Sequence, residues 1–515
     1  MDAESRTKKT MLNTIAGFVT RIANLIARFM LQTVLIYVLG IQYAGVSGLF
    51  TSLLTILSLA DLGIGSAIAY ELYKPLAEKD KKKIATLMNF YKKAYRLVAI
   101  VVFVIGIVLI PFLDFFIKET PDLRENITLI YMMFIIKTVV SYLLVYKSTL
   151  LVANQQNYIV SKIQAIVTFL RTIIECIMLL LTKQYLIYLL IEIIANLGQN
   201  LWISFIADKN HPELNVYKKE KLNKNEQKKL FGDIKGLAMY KASFALGSGV
   251  DNVIVSAFVG TTAVGLLSNY ILIKNELIQF LKQFYNALVP SVGNLSVTES
   301  ESKQHDVFSK LMFLNFWISC FCSVSYFVLV QPFVTLWLGK QYLLSLSISA
   351  VIAIDFYLAC MLETVASFRT ANGIFVKGQY RPLIMVIINI VLSIILGKQL
   401  GIIGVLLATV VSRLITQWYD PYLLYKIVFK CSPKRFYFRY YAYMLLFIVC
   451  AMLSYLVVDM IAVNNLLGTL ACRMVVCMIV PNVVIILIYR KTDEFMYCCS
   501  QLNRVFVKAV NKIKK

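Results

Sequence analysis

Histidine is scarce in this chain, with two in 515 residues, and acidic residues number 28 against 52 Lys and Arg. His211 and His305 both fall in polar stretches, and no CxxC or HExxH spacing occurs. No metal site and no cofactor are therefore expected. A Walker-type phosphate loop, a GxSxG elbow and the kinase signatures are missing as well, which leaves no sign of a nucleotide-driven or hydrolytic machine. The ten cysteines lie within apolar runs or in basic segments, and none falls in a predicted outer loop. That distribution excludes a disulfide framework. Charge is sparse too, at 16% of residues.

What is present in excess is apolar sequence, at 59% of the chain. A soluble protein of this length has no means of hiding so much apolar surface. A 19-residue window finds about fourteen hydrophobic segments. They cover residues 12–39, 44–70, 86–112, 127–151, 159–182, 185–207, 236–259, 263–290, 307–330, 346–370, 383–397, 401–424, 440–461 and 466–489. The expected fold is all-α and polytopic. The first run is too long for a cleaved leader and lacks a small-residue cleavage site. The net charge of +24 resides largely in loops. It reads as a topology signal rather than a nucleic-acid footprint. With an even number of spans both termini share a side. The opposite loops hold only Lys118, Arg124, Lys183, Lys340 and Lys398, so the termini are expected in the cytoplasm.

The longest polar stretch, 208–235, divides the chain near its middle, and the two sides resemble each other. Gly40-Ile-Gln-Tyr-Ala-Gly45 parallels Gly260-Thr-Thr-Ala-Val-Gly265. Ala153-Asn154 parallels Ala371-Asn372, and Ile194-Ala195-Asn196 with Trp202 parallels Val410-Val411-Ser412 with Trp418. Three matches at nearly one offset predict a duplicated six-helix unit, and six being even, the copies run parallel. The expected organisation is an N-terminal lobe over 1–207, a cytoplasmic linker over 208–235 and a C-terminal lobe over 236–424. Two extra spans and a tail occupy 425–515.

Several spans carry ionisable groups. In the first run Thr14, Gly17, Arg21, Asn24, Arg28 and Gln32 fall on one face at 100° per residue. An arginine at mid-membrane costs about 2.5–3.5 kcal/mol on insertion scales, so this stripe is expected to face protein or a wet cavity. In the seventh span Lys241, Ser248 and Asn252 share a face beside Asp251; in the eighth Asn269, Glu276, Gln279 and Gln283 do so. These three amphipathic spans are expected to line a common cavity. Arg171 and Glu175, four apart, are expected to pair. Lys147, Arg369 and Arg413 lie toward the cytoplasmic ends, where snorkelling accounts for them. Guanidinium groups on a cavity wall suit a phosphate-bearing ligand, because they offer paired planar donors and never deprotonate.

Gly40-x-x-Tyr43-x-Gly45-x-x-Gly48-Leu49-Phe50, followed by Leu59-Ala60-Asp61-Leu62-Gly63-Ile64-Gly65, resembles the start of bacterial polysaccharide flippases of the Wzx/PST type. These belong to the multidrug/oligosaccharidyl-lipid/polysaccharide exporter superfamily. Phe333-x-x-Leu336-Trp337-Leu338-Gly339 and Gly401-Ile-Ile-Gly404-Val-Leu-Leu-Ala408-Thr409 are similar to that family too. The resemblance covers most of the chain. It implies a V-shaped bundle of two six-helix lobes and a multi-pass protein of the bacterial cytoplasmic membrane. It implies flipping of an undecaprenyl-pyrophosphate-linked oligosaccharide, with a polysaccharide polymerase and glycosyltransferases as partners alongside membrane lipids. Related peptidoglycan-precursor flippases use arginines in a cationic cavity. On this footing the diphosphate is expected at Arg21, Asn24 and Arg28 with Lys137 or Lys274, and ion coupling at Asp61, Asp251 or Glu276. Three alternatives stay open: a cation-coupled multidrug exporter of the same superfamily, a membrane glycosyltransferase or polymerase, and an assembly protein whose charges merely pair.

Overall fold

A computed structural model of the chain describes residues 3–58, 64–218, 220–223, 225–227, 230, 246–247, 249–374, 378–461 and 465–501; the side chains of 3–20, 66, 67 and 287 are outside the description. Every regular element among the described residues is helical. Ten helices are long and apolar enough to cross a membrane, or 11 when Lys81–Val108 and Ile110–Phe116, bent by 45°, count as one span. The protein is therefore a multi-pass membrane protein. Of the other spans expected from the sequence, the second falls partly on Ile41–Leu57, the eighth on the more polar Thr261–Thr298, and the seventh lies mostly outside the described residues, with Gly249–Phe258 its described part.

The chain divides into two compact units, Met1–Ser268 and Asn269–Lys515. The first contains α1 (Ala3–Leu39), α2 (Ile41–Leu57), α3 (Ile64–Glu78), α4 (Lys81–Val108), α5 (Ile127–Tyr142), α6 (Val145–Ala153), α7 (Asn157–Thr182), α8 (Tyr185–Asn210) and α9 (Gly249–Phe258). It also takes the start of α10 (Thr261–Thr298). The second holds the rest of α10, then α11 (Glu301–Trp337), α12 (Leu346–Met361), α13 (Glu363–Ala371), α14 (Arg381–Leu400), α15 (Ile402–Thr416) and α16 (Tyr419–Leu424). It closes with α17 (Lys434–Asp459) and α18 (Leu466–Tyr489).

In the first unit α1 lies along α7, and α5 packs on α4 and α8. The paired glycine motifs meet here. Gly40 (φ 101°) and Gly260 (φ 129°) open α2 and α10 in a conformation that a β-carbon opposes. One turn on, Gly45 and Gly265 let the two helix starts touch by backbone. A β-carbon on Gly45 would stand 1.9 Å from the Thr261 carbonyl oxygen, and one on Gly265 2.4 Å from that of Ile41. This is close packing of the small-residue kind that membrane helices use when apolar burial gives them no drive to associate. So residues 249–268, expected in the C-terminal lobe from the repeat, pack on the first unit.

In the second unit α17 and α18 pack on α11. Phe316 stacks on Tyr443 with ring centroids 4.2 Å apart, Tyr357 stacks on Phe447 at 4.3 Å, and the Trp317 indole N–H donates to Asn482 at 2.6 Å. The two spans outside the duplication are thus held to it by aromatic contact and a hydrogen bond.

Candidate functional site

Each unit pairs its buried charges across several helices. In the first, Lys137 on α5 reaches Glu192 on α8 at 3.0 Å. Its ammonium also lies 4.5 Å from the Phe134 ring centroid. Arg171 on α7 contacts Glu192 and Glu175 at 3.5 Å each. Glu175 is fully buried, and its oxygens accept no hydrogen bond among the described residues. Two cations and two carboxylates therefore neutralise one another inside the bundle, tying α5, α7 and α8. The expected pairing of Arg171 with Glu175 is present, and Glu192 joins it.

In the second unit Asp355 on α12 is buried between two cations. Lys274 on α10 donates to it at 2.8 Å, and Arg413 on α15 lies 2.6 Å from its other oxygen. This triad carries a net positive charge. Nearby, Lys282 pairs with Glu363 at 3.3 Å. Arg369 and Arg381 converge on Asp420, the latter at 2.9 Å. Removing one partner from such a group is strongly destabilising, because it strands a charge away from water.

These contacts revise several expectations. Lys147, Arg369 and Arg413, read as snorkelling, are paired instead: Lys147 with Asp208, Arg369 with Asp420, Arg413 with Asp355. Apolar sequence around them marked their depth, but the partners lie 51 to 61 residues away and no local pattern points to them. Lys137 and Lys274, expected at a ligand headgroup, each hold a carboxylate. Arg473 on α18 was not singled out by the sequence reading; its guanidinium donates to the Val328 carbonyl at 3.0 Å. A lone arginine within the apolar run 466–489 was the signal that would have found it.

On α1, Arg21 and Asn24 are half-buried and Arg28 is exposed, while Thr14 and Gly17 have side chains outside the description. Gln32 donates to Ser268 at 3.1 Å. Asn252 donates to Ser52 of α2 at 3.0 Å and Asn269 is fully buried, so those two groups on the seventh and eighth spans face protein. Asp251 and Glu276 are half-buried, Gln279 and Gln283 exposed. Asp61, Lys241 and Ser248 lie outside the described residues. Among the described residues no three His, Cys, Asp or Glu gather as a metal site.

No protein-family model matches the sequence, and comparison with curated proteins finds no match. Solved structures do resemble it. The lipid II flippase MurJ in an inward closed conformation aligns with a TM-score of 0.67 at 15% identity, over 93% of this chain and 99% of its own. An inward-facing multidrug resistance MATE family transporter of the MOP superfamily aligns at 0.55 and 11% identity, over 78% and 93%. A MATE transporter from Vibrio cholerae aligns at 0.54 and 12%, over 82% and 97%. The chain has the fold that MurJ and the MATE transporters share.

Proposed function

We propose that the protein is a flippase for undecaprenyl-pyrophosphate-linked oligosaccharide repeat units, serving capsule, exopolysaccharide or O-antigen assembly at the bacterial cytoplasmic membrane. The reading places both termini in the cytoplasm, gives the protein no catalytic step, and has a polymerase and glycosyltransferases downstream and upstream. One observation carries it: Arg21, Asn24 and Arg28 stand on successive turns of one face of α1, and none of the three is in the buried core. Guanidinium groups in that position recognise a diphosphate through paired charge-assisted hydrogen bonds. The fold shared with a lipid II flippase supports a lipid-linked cargo, and the family-like glycine motifs support the polysaccharide branch. Lys137 and Lys274 serve in this reading as second-rank contacts, reached only when their carboxylates let go. Asp61, Asp251 and Glu276 are the proposed ion-coupling groups of an alternating-access cycle.

The test is flipping of a fluorescent polyprenyl-diphosphate oligosaccharide in reconstituted vesicles. Arg21→Ala and Arg28→Ala are expected to abolish it jointly while the protein still reconstitutes. Undiminished flipping by the double variant would remove the headgroup site. The MATE neighbours sustain a second reading, cation-coupled drug export. Dye efflux from cells with no lipid-linked sugar flipping would select it.

A further inference from the structure

The polar stretch after α8 is fastened to α4. The Asn89 amide donates to the carbonyls of Tyr217 at 2.8 Å and Glu220 at 3.1 Å. Lys82 pairs with Glu220 at 3.0 Å, and Lys83 pairs with Glu226. Leu222 and Leu230 are buried in the same cluster as Ile64, Tyr91 and Tyr95. Beside this clamp lies a cleft of about 460 Å³, walled by Ile64, Phe90, Leu97 and Val101 and rimmed by Lys93 and Lys221.

The cleft straddles a polarity boundary. Lys92, Lys93 and Arg96 precede an uninterrupted apolar run from Leu97 to Leu113. Lys93 and Leu97 are one helical turn apart, about 6 Å along the axis. The lysine thus sits at headgroup level and the leucine at the start of the hydrocarbon. Leu97, Ile100 and Val104 are exposed, so this side of α4 opens toward lipid. Lys93 and Lys221 are exposed and form no ion pair among the described residues. Glu220, the acid of the lining, is held by Lys82. A soluble anion has no use for the apolar wall, and a neutral lipid has none for the lysines. The combination fits an amphiphile with an anionic head.

We propose that this cleft binds an anionic glycerophospholipid of the surrounding bilayer, with its phosphate at Lys93 and Lys221 and an acyl chain against Phe90, Leu97 and Val101. The lipid joins α4 to the polar stretch that follows α8 within the first unit. Membrane composition thereby sets how firmly residues 220–223 and 225–227 are held. The assignment does not depend on the identity of the cargo.

The experiment is native mass spectrometry of the full chain released from nanodiscs of mixed phosphatidylcholine and phosphatidylglycerol. The wild type is expected to retain phosphatidylglycerol selectively. Lys93→Gln with Lys221→Gln should lower its retention about tenfold or more, since each lysine contributes one favourable contact to an anionic surface. Leu97→Gln, at an exposed position, should lower it with the lysines intact. Lys162→Gln, an exposed lysine at the start of α7, should leave it unchanged. Equal retention by the double variant overturns the proposal, as does an equal loss in the Lys162 control. Displacement of the bound lipid by substoichiometric undecaprenyl phosphate also overturns it, because the cleft would then be a port for the cargo lipid.

Discussion

In the first unit the span 127–153 runs 16 residues as α5, breaks, and resumes for nine as α6. In the second, 346–371 runs 16 residues as α12, breaks, and resumes for nine as α13. Both second pieces end in Ala-Asn. At each break a side-chain amide from the span two further on donates to backbone carbonyls beside it, and at the second Asn315 of α11 adds bonds to the Cys360 and Met361 carbonyls at 3.1 and 2.9 Å. Asn200 donates to Leu143 at 3.1 Å and more weakly to Val140 and Ser141; Gln417 donates to Leu358 at 3.2 Å. Open carbonyls in hydrocarbon cost several kcal/mol, so a break survives only where a partner is supplied. The charges, by contrast, are reversed. The first unit sets Lys137 on its broken span against Glu192, and the second sets Asp355 against Arg413. What the duplicated architecture demands is a tie between these two helices at that depth. The sign of each end is indifferent to the tie. It does decide the local field: the first network is neutral, and the second, with Lys274 added, is positive.

The comparison breaks most visibly at its charges. Asp355→Asn should destabilise the second unit by about 3–5 kcal/mol, because two cations lose their shared carboxylate. Glu192→Gln should cost less, since Arg171 keeps Glu175 and Glu192 is the more exposed acid. Thermal unfolding in detergent of the two variants side by side measures the difference, and equal losses would refute the ranking.

The glycine contact is next. Gly45→Ala and Gly265→Ala should each cost about 1–3 kcal/mol, because the opposing atoms are backbone and have little room to yield. Combined, they should cost clearly less than the sum, since both relieve one contact. Additive losses would mean that the two sites act apart. Asn200→Ala and Gln417→Ala sharpen the likeness of the two breaks: each removes the amide donor from a carbonyl at the break, Leu143 in one and Leu358 in the other, and should cost about 1–3 kcal/mol. Hydrogen exchange should accelerate at α6 in one variant and α13 in the other.

The smallest effect belongs to the clamp on α4 in the first unit. The Lys83 ammonium, hydrogen-bonded to Glu226, lowers that carboxyl from its usual 4.5. The folded value being depressed, its contribution is present above the unfolded value and is lost as pH falls through the folded one. The pair is largely exposed, so about 0.5 kcal/mol is at stake. Exchange protection of residues 225–227 should fall on acidification in the wild type and show less of this dependence in Lys83→Ala.

Much of the fold was legible in the sequence because hydrocarbon imposes simple rules. Runs near 20 residues mark spans, and Gly-x4-Gly twice at one offset marked both the duplication and the place where two helices touch. Arg171 with Glu175 was legible because four residues apart on a helix means one face. The partners of Lys137, Lys147, Lys274, Arg369 and Arg413 were not, since each comes from another helix. Among the described residues the count stays at ten or 11, since most of the expected seventh span lies outside the description and the eighth, on α10, carries Lys274, Glu276 and Lys282.

From the amino-acid order alone came the class, the apolar setting of each charge and the repeat, since hydropathy and spacing act along one chain and need no knowledge of neighbours. Only the tertiary structure decided which charges meet, where the fourth and tenth spans break, and that the polar connector closes a cleft on α4. Those outcomes depend on distances between segments tens of residues apart, and in a membrane such distances are set by packing and by the cost of leaving any polar group unpartnered.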